Sequence, residues 1–248
     1  MAPVPHRAYG EYRGWGRADL PRRGERGLHL VAIGAATSAA VLALAAPAAA
    51  TCGETGYAYA GLEAAAPAAG VAATVTALSQ PRVRGGHVAA WVGVGGYGLG
   101  PGGANEWLQA GVATLPGRAS RLYVEWKTPH RRAHVLRLQG RAGTGVSHRV
   151  AVVAQPGRSG AWRAYVDGVA VGPVVALPGS QSHFEPMAVT ESWDGGTGAC
   201  NRFAYRFRDV SVADRAGAWA PLAAAYRVQD PGQRLIARTL ADFTARSR

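Results

Sequence analysis

Residues 87–126 alternate between apolar and other side chains over successive runs, and this two-residue period limits what the chain can form. Successive side chains of a β-strand point to opposite faces, so such an alternation predicts strands with one buried face. In the first run Val88 and Val92 share one phase, while Trp91 lies in the other. The second run repeats the pattern around Gln109. We therefore predict neighbouring strands that each contribute one face to a core.

The second phase of these runs carries polar and aromatic side chains. Trp107 and Gln109 share that phase of one run, Tyr123 and Glu125 share that of the next, and Trp91 occupies it in the first. Amide and carboxylate groups set among aromatic rings are typical of an active site or a sugar-binding surface. We expect the functional residues of the chain to lie on this face.

Short alternating runs separated by glycine and proline continue along the chain and predict an all-β, two-sheet antiparallel sandwich. Asp167-Gly168 predicts a hairpin with a type I′ turn, and a change of phase near Asp209 predicts a β-bulge. Residues 52–70 show little periodicity and are interpreted as an irregular entry arm. The further strands are predicted over residues 71–78, 133–138, 148–154, 162–166, 169–171, 174–177, 187–192 and 203–212.

One short helix is predicted near the C-terminus. Asp230 followed by Pro231 and Gln233 has the composition of a capped helix start. The apolar face of this helix would consist of Leu235, Ile236, Thr239, Leu240 and Phe243. We expect it to pack at the periphery of the sandwich.

The first fifty of the 248 residues have a basic start, an apolar stretch and an alanine-rich end, which is the composition of a secretory signal peptide. A single membrane anchor is the alternative, because the apolar run is long enough to span a bilayer. The predicted division is therefore a signal segment over 1–50, a sandwich domain over 51–220 and a C-terminal extension with the helix over 221–248. The mature protein would be secreted, extracellular or associated with the cell wall.

The two cysteines, Cys52 and Cys200, lie near opposite ends of the mature chain. An even number of cysteines in an exported protein predicts a disulfide. Two unpaired thiols are the alternative.

The formal net charge of +12 comes almost entirely from arginine. The arginines are dispersed along the sequence, so we expect that the protein does not bind nucleic acid. We also expect no association with the membrane once the signal segment is cleaved. The glycines over 93–98 fit a dinucleotide motif, but Pro101 follows where a helix would have to begin. His130 and His134 lie beside Pro129 and do not predict a metal pair. We expect no cofactor, no metal and a monomer.

The segments Trp91–Gly96, Glu106–Gly111 and Tyr123–Trp126 resemble, in order and spacing, the glutamic peptidases, or eqolisins. That family consists of secreted, acid-active endopeptidases with a sandwich fold like that of concanavalin-type lectins and glucanases. The resemblance implies this fold for the chain, and a polypeptide as its substrate. Gly95 differs from the family, which has an aspartate at that position.

The catalytic pair of the family is a glutamine and a glutamate. By position the resemblance implies Gln109 and Glu191, with Glu185 competing for the acid role, and it places Trp91, Trp107, Tyr123 and Glu125 at the substrate. In such a pair the glutamate takes a proton from water and returns one to the leaving amine. The neutral glutamine amide donates to the developing oxyanion.

Two alternatives stay open from the residues themselves. A catalytically inactive, lectin-like module would use the same aromatic residues and Glu125 to bind a cell-surface or extracellular glycan. A glycoside hydrolase would need two facing carboxylates, a role that Glu125 and Glu191 fill only if their strands are neighbours.

Overall fold

The computed structural model describes residues 56–181 and 184–248. The predicted signal segment lies outside these residues, so cleavage and secretion stay predictions. Cys52 also lies outside them, and its disulfide with Cys200 stays a prediction as well. Within the part of the chain that is described, no helix is both long and apolar enough to cross a membrane.

The described residues form strands and two short 3₁₀ helices, at Pro101–Gly103 and Pro178–Ser180. The strands are β1 Tyr57–Ala64, β2 Gly70–Ala77, β3 His87–Gly96, β4 Glu106–Thr114, β5 Arg121–Lys127, β6 His134–Arg137, β7 Ser147–Ala154, β8 Ala161–Val166, β9 Val169–Ala176, β10 Met187–Trp193, β11 Ala204–Ala213, β12 Trp219–Pro221, β13 Ala225–Gln229, β14 Gln233–Thr239 and β15 Asp242–Ser247.

These strands form two sheets in which neighbouring strands are antiparallel. The first sheet has the order β13-β1-β10-β3-β4-β5-β6, and the second has the order β14-β15-β11-β2-β7-β8-β9, with β12 paired to β11. The predicted concanavalin-like β-sandwich is confirmed. Because β10 lies between β1 and β3, residues that are distant in sequence meet in the middle of the first sheet.

The core lies between the sheets and is built from one phase of each strand. Val88, Val92, Leu108 and Val124 of the first sheet are at most 1% exposed. The second sheet faces them with large side chains such as Trp162, which is fully buried. Burial of apolar area at this density is the main favourable contribution to folding.

Two local features follow from their sequence signals. Asp167 and Gly168 both have positive φ angles, of 50° and 80°, as a type I′ turn between β8 and β9 requires. Asp209 has a φ of 52°, and the register of β11 against β2 shifts between Arg208 and Ser211. The predicted hairpin turn and the predicted bulge are both confirmed.

The prediction of an irregular entry arm over residues 52–70 is wrong where the structure describes it. Residues 57–64 form β1, an interior strand of the first sheet. Its inward phase consists of small or medium apolar residues, including Ala58, Ala60 and Leu62, and its outward phase begins with Tyr57 and Tyr59. The alternation is present, but alanine and glycine on both phases conceal it.

The predicted C-terminal helix is also wrong, because residues 233–247 form the hairpin β14–β15. Leu235 and Phe243 are buried in the core, whereas Ile236, assigned to the same helical face, is 41% exposed. The Asp230 carboxylate does not cap a helix but accepts a hydrogen bond from the backbone N–H of Tyr59 at 2.8 Å. Residues 221–248 therefore belong to both sheets and are not an extension of the sandwich.

Replacing Phe243 tests how far the C-terminal hairpin belongs to the core. Phe243 is 1% exposed and its ring stacks on Phe207 at 4.7 Å between centroids. Phe243→Ala should lower the free energy of unfolding by about 3–5 kcal/mol, because it leaves a cavity in a packed interior. Chemical denaturation measures the change.

Ile236→Ala is the matched control on the same hairpin and should cost less than about 1 kcal/mol, because its side chain is partly in solvent. Equal losses for the two variants would mean that the hairpin does not form part of the core.

Candidate active site on the first sheet

The outward side chains of the first sheet form one continuous surface, which we call the polar face. It includes every site residue that the sequence predicts on a strand: Trp91 on β3, Trp107 and Gln109 on β4, Tyr123 and Glu125 on β5, and Glu191 on β10. Each of these side chains is at most 5% exposed. Since apolar neighbours in the other phase of each strand point into the core, the register of the sheet fixes which side chains reach this face.

Gln109 is the centre of one hydrogen-bonded cluster on the polar face. It pairs in register with Glu125, and its Nε2 donates to Tyr123 Oη at 3.2 Å and to Glu125 Oε2 at 3.4 Å. The indole Nε1 of Trp107 donates to Glu125 Oε1 at 3.3 Å. The structure therefore brings four of the predicted residues together, with an amide beside a carboxylate.

Tyr123 remains protonated in this cluster. Burial raises the pKa of its hydroxyl well above the ordinary value, and the negative charges of Glu191 and Glu125 raise it further. A neutral phenol keeps its proton for hydrogen bonding. Tyr123 is thus a fixed positioning group for Gln109.

Glu191 belongs to a second cluster. Its Oε1 lies 2.6 Å from Nε2 of His87, and both side chains are buried. The His87 ring lies 5.9 Å from the ring of Tyr57 and 5.7 Å from that of Trp193. Sequence reasoning did not assign a role to His87, although it lies in the same phase of β3 as Trp91.

Gln109 and Glu191 lie in different rows of the first sheet. Glu191 is in register with Ala89, whereas Gln109 is in register with Gly93. They are separated by two strand spacings and by four residues along the strands, which places their Cα atoms about 16 Å apart. Burial and then the charge of Glu191 raise the pKa of Tyr123, whose hydroxyl accepts a hydrogen bond from Gln109, so Tyr123 links the two clusters. The pairing of Gln109 with Glu191 stays a prediction.

The place opposite Gln109 across β3 is occupied by Met187. Met187 pairs with Gly93, which pairs with Gln109, so the three residues form one row of the sheet. Glu63 continues the row beyond Met187. The nearest carboxylate to Gln109 in that row is Glu125, on the other side. Glu185 is exposed, precedes β10 and does not join either cluster.

Glycines make room for Trp91 on the polar face. A Cβ atom at Gly93 would lie 3.0 Å from the Trp91 ring, and one at Gly111 would lie 2.8 Å from the Trp91 Cβ. The absence of side chains at these two positions lets the indole lie against β3 and β4. Gly93 and Gly111 therefore serve close packing within strands.

Glu106 is a buried carboxylate that sequence reasoning missed. It begins β4, and its Oε1 accepts a hydrogen bond from the backbone N–H of Gly179 at 2.8 Å. Its Oε2 has no hydrogen-bond partner among the described residues. Burial raises the pKa of Glu106 to about 7, although hydrogen bonds from the backbone of Gly179 and Ser180 oppose the shift. Glu106 thus connects the loop after β9 to the start of the strand that carries Gln109.

A metal site does not emerge in the part of the chain that the structure describes, where no three metal-ligating side chains form a group. His130 lies in a turn with a φ of 57°, and His134 stacks on Trp126 at 5.5 Å.

Neither a protein-family model nor a curated protein sequence matches the chain. Solved structures do match. Scytalido-glutamic peptidase with a transition-state analogue inhibitor is 17% identical with a TM-score of 0.53, over 79% of this chain and 100% of that chain. SCP-B, a member of the eqolisin family of peptidases in a complex with the tripeptide Ala-Ile-His, is 16% identical with a TM-score of 0.50, over the same shares. The chain therefore has the fold of the glutamic peptidases, as the sequence resemblance implies.

Glu106 should make the stability of the protein depend on pH near neutrality. Its pKa is raised in the folded state, so its contribution is fully present below the unfolded value of 4.5 and is lost as the pH rises through about 7. Glu106→Gln keeps the shape of the side chain without the titration. Its stability should therefore change less than that of the wild type between these two pH values.

Thermal unfolding of both proteins across that range measures the difference. Parallel profiles for the two proteins would show that Glu106 does not titrate in this window.

Proposed function

We propose that the protein is an exported, glutamic-peptidase-like hydrolase that cleaves polypeptides at acid pH with Gln109 and Glu125 as its water-activating pair. The observation that carries the proposal is the amide of Gln109 at 3.4 Å from the Glu125 carboxylate. The fold supports a peptidase, and the solved structures with this fold contain a peptide or a transition-state analogue. These complexes favour a polypeptide over a glycan as the ligand of the polar face.

In this mechanism Glu125 acts as the general base. Its Oε1 is held by the Trp107 indole, and its Oε2, which now accepts from Gln109, takes the reacting water when substrate binds. The carboxylate takes a proton from the water, which attacks the peptide carbonyl carbon. The carboxylic acid then returns the proton to the leaving amine as the C–N bond breaks.

Gln109 stabilises the oxyanion that forms in the same step. Its amide donates without titrating, and the Tyr123 hydroxyl keeps it in place. A preorganised donor of this kind contributes about 3–4 kcal/mol to catalysis. Of the two N–H groups of Gln109, one stays on Tyr123 at 3.2 Å, and the other, now 3.4 Å from Glu125 Oε2, turns to the oxyanion.

A second candidate function is polypeptide binding without cleavage, and Met187 is the observation that favours it. Met187 faces Gln109 across β3 and has no titratable group, so this side of Gln109 offers neither an acid nor a base. A protein of this kind would bind an unfolded polypeptide at the polar face and release it intact.

Substitutions separate these assignments. With acid-denatured protein as substrate, Glu125→Gln should lower kcat about 10²–10⁴-fold because the base is lost. Gln109→Leu should lower it about 10²–10³-fold because the oxyanion loses its donor. Pepstatin should not inhibit the wild type.

Glu191→Gln is the comparison variant, since Glu191 is paired with His87 and lies in a different row of the sheet from Gln109. It should retain the rate to within a few-fold, with thermal unfolding used to check that the variant is folded. Loss of activity in Glu191→Gln but not in Glu125→Gln would return the role of base to Glu191. A wild type that binds the denatured substrate without cutting it would support the second candidate.

A further inference from the structure

A cavity of about 440 Å³ adjoins the polar face at the end of β4 and the start of β5. Its lining combines three arginines with apolar residues, and we call it the arginine pocket. It is lined by Ala113, Leu115, Arg118, Ala119, Arg121, Tyr123 and Arg137. Tyr123 also contacts Gln109, so the pocket and the Gln109 cluster share a wall.

The sheet register explains why the arginines meet there. Arg137 on β6 pairs with Tyr123, and Arg121 on β5 pairs with Ala113, so both are in phase with the polar face. Arg118 comes from the turn between β4 and β5. The convergence arises from three separate segments and could not be read from the dispersed arginines of the sequence.

Arg118 and Arg121 are the two arginines of this pocket on which the charge argument depends. Among the described residues no carboxylate forms a salt bridge with Arg118 or Arg121. Arg118, Arg121 and Arg137 are exposed at the pocket, so an ionised carboxylate that binds there is attracted to all three. A guanidinium group also presents a planar pair of N–H donors that matches a carboxylate.

We propose that the arginine pocket is a subsite for a carboxylate of the bound polypeptide, and that it selects acidic segments as ligands of the polar face. The proposal rests on the proposed function for the identity of the ligand as a polypeptide. The carboxylate belongs either to an aspartate or glutamate side chain or to the C-terminus of the peptide.

The sheet sets the distance between the subsite and the Gln109 cluster. Ala113, in the pocket, lies four residues from Gln109 on the same face of β4, a span of about 13 Å. An extended peptide lying along β4 covers that span with about four residues. The preferred carboxylate therefore lies about four residues from the peptide bond next to Gln109.

Binding can be measured without cleavage. We suggest isothermal titration of the full-length Glu125→Gln variant at pH 6, where peptide carboxylates are ionised, and at moderate salt to screen non-specific attraction. The probes are an eight-residue peptide with two adjacent glutamates and an amidated C-terminus, its glutamine counterpart, and that counterpart with a free C-terminus.

The amidated glutamate peptide should bind at least tenfold more tightly than the amidated glutamine peptide. Arg118→Gln and Arg121→Gln should each weaken the binding of the glutamate peptide several-fold. The affinity for the glutamine peptide should stay unchanged. Arg158→Gln removes the same charge from an exposed turn between β7 and β8 and should have less than a twofold effect. Tight binding of the free-terminus peptide alone would identify the C-terminal carboxylate as the ligand.

Equal binding of all three peptides would overturn the proposal, as would equal losses for Arg158→Gln and Arg121→Gln, which would indicate bulk charge. Failure of the proposed function can be told apart from failure of the subsite. If the wild type does not cleave polypeptides but the arginine variants still bind the glutamate peptide more weakly, the subsite is supported and the catalytic pair is not.

Discussion

Each central strand of the first sheet is constrained on both of its faces, and the rest of the structure depends on this. On β4, Leu108 and Ala110 are at most 1% exposed in the core, while Gln109 between them points to the polar face. A shift of register by one residue would exchange the two sets and would bury an amide in the apolar layer. Packing of the core therefore holds the candidate catalytic groups in place.

The sequence was informative wherever large β-branched or aromatic residues marked the phase of a strand. The valines of β3 and the residues of β8 predicted their strands because bulky side chains alternate with small or polar ones. The strand β9 was predicted as two runs, 169–171 and 174–177, but it is continuous over Val169–Ala176. It failed for β1, where alanine and glycine weaken the contrast, and for the C-terminal hairpin, where the same apolar spacing satisfies a helix and a strand. In that hairpin the packing of Phe243 on Phe207 favours the strand over the helix. This contact joins distant segments, so the local sequence pattern cannot predict it.

The sequence predicted which face of the sheet carries the candidate site, but not which of its residues are neighbours. Phase along a single strand correctly placed Gln109, Glu125 and Glu191 on one side of the sheet. It could not show which of them are neighbours, because this depends on the insertion of β10 between β1 and β3. His87 and Glu106 were missed for the same reason, since each acquires its role from a partner on a distant segment.

The pairing of β1 also has a consequence for the order of events as the chain is made. Tyr57 pairs with Trp193, and Ala60 pairs with both Thr190 and Gln229. The strand β1 therefore cannot acquire both of its neighbours until the chain has been synthesised beyond residue 229. Folding that depends on such remote partners is slow, because loop closure must be completed before the contacts are formed. The nascent chain remains open for longer than a chain of local hairpins would, and chaperones have that interval in which to act.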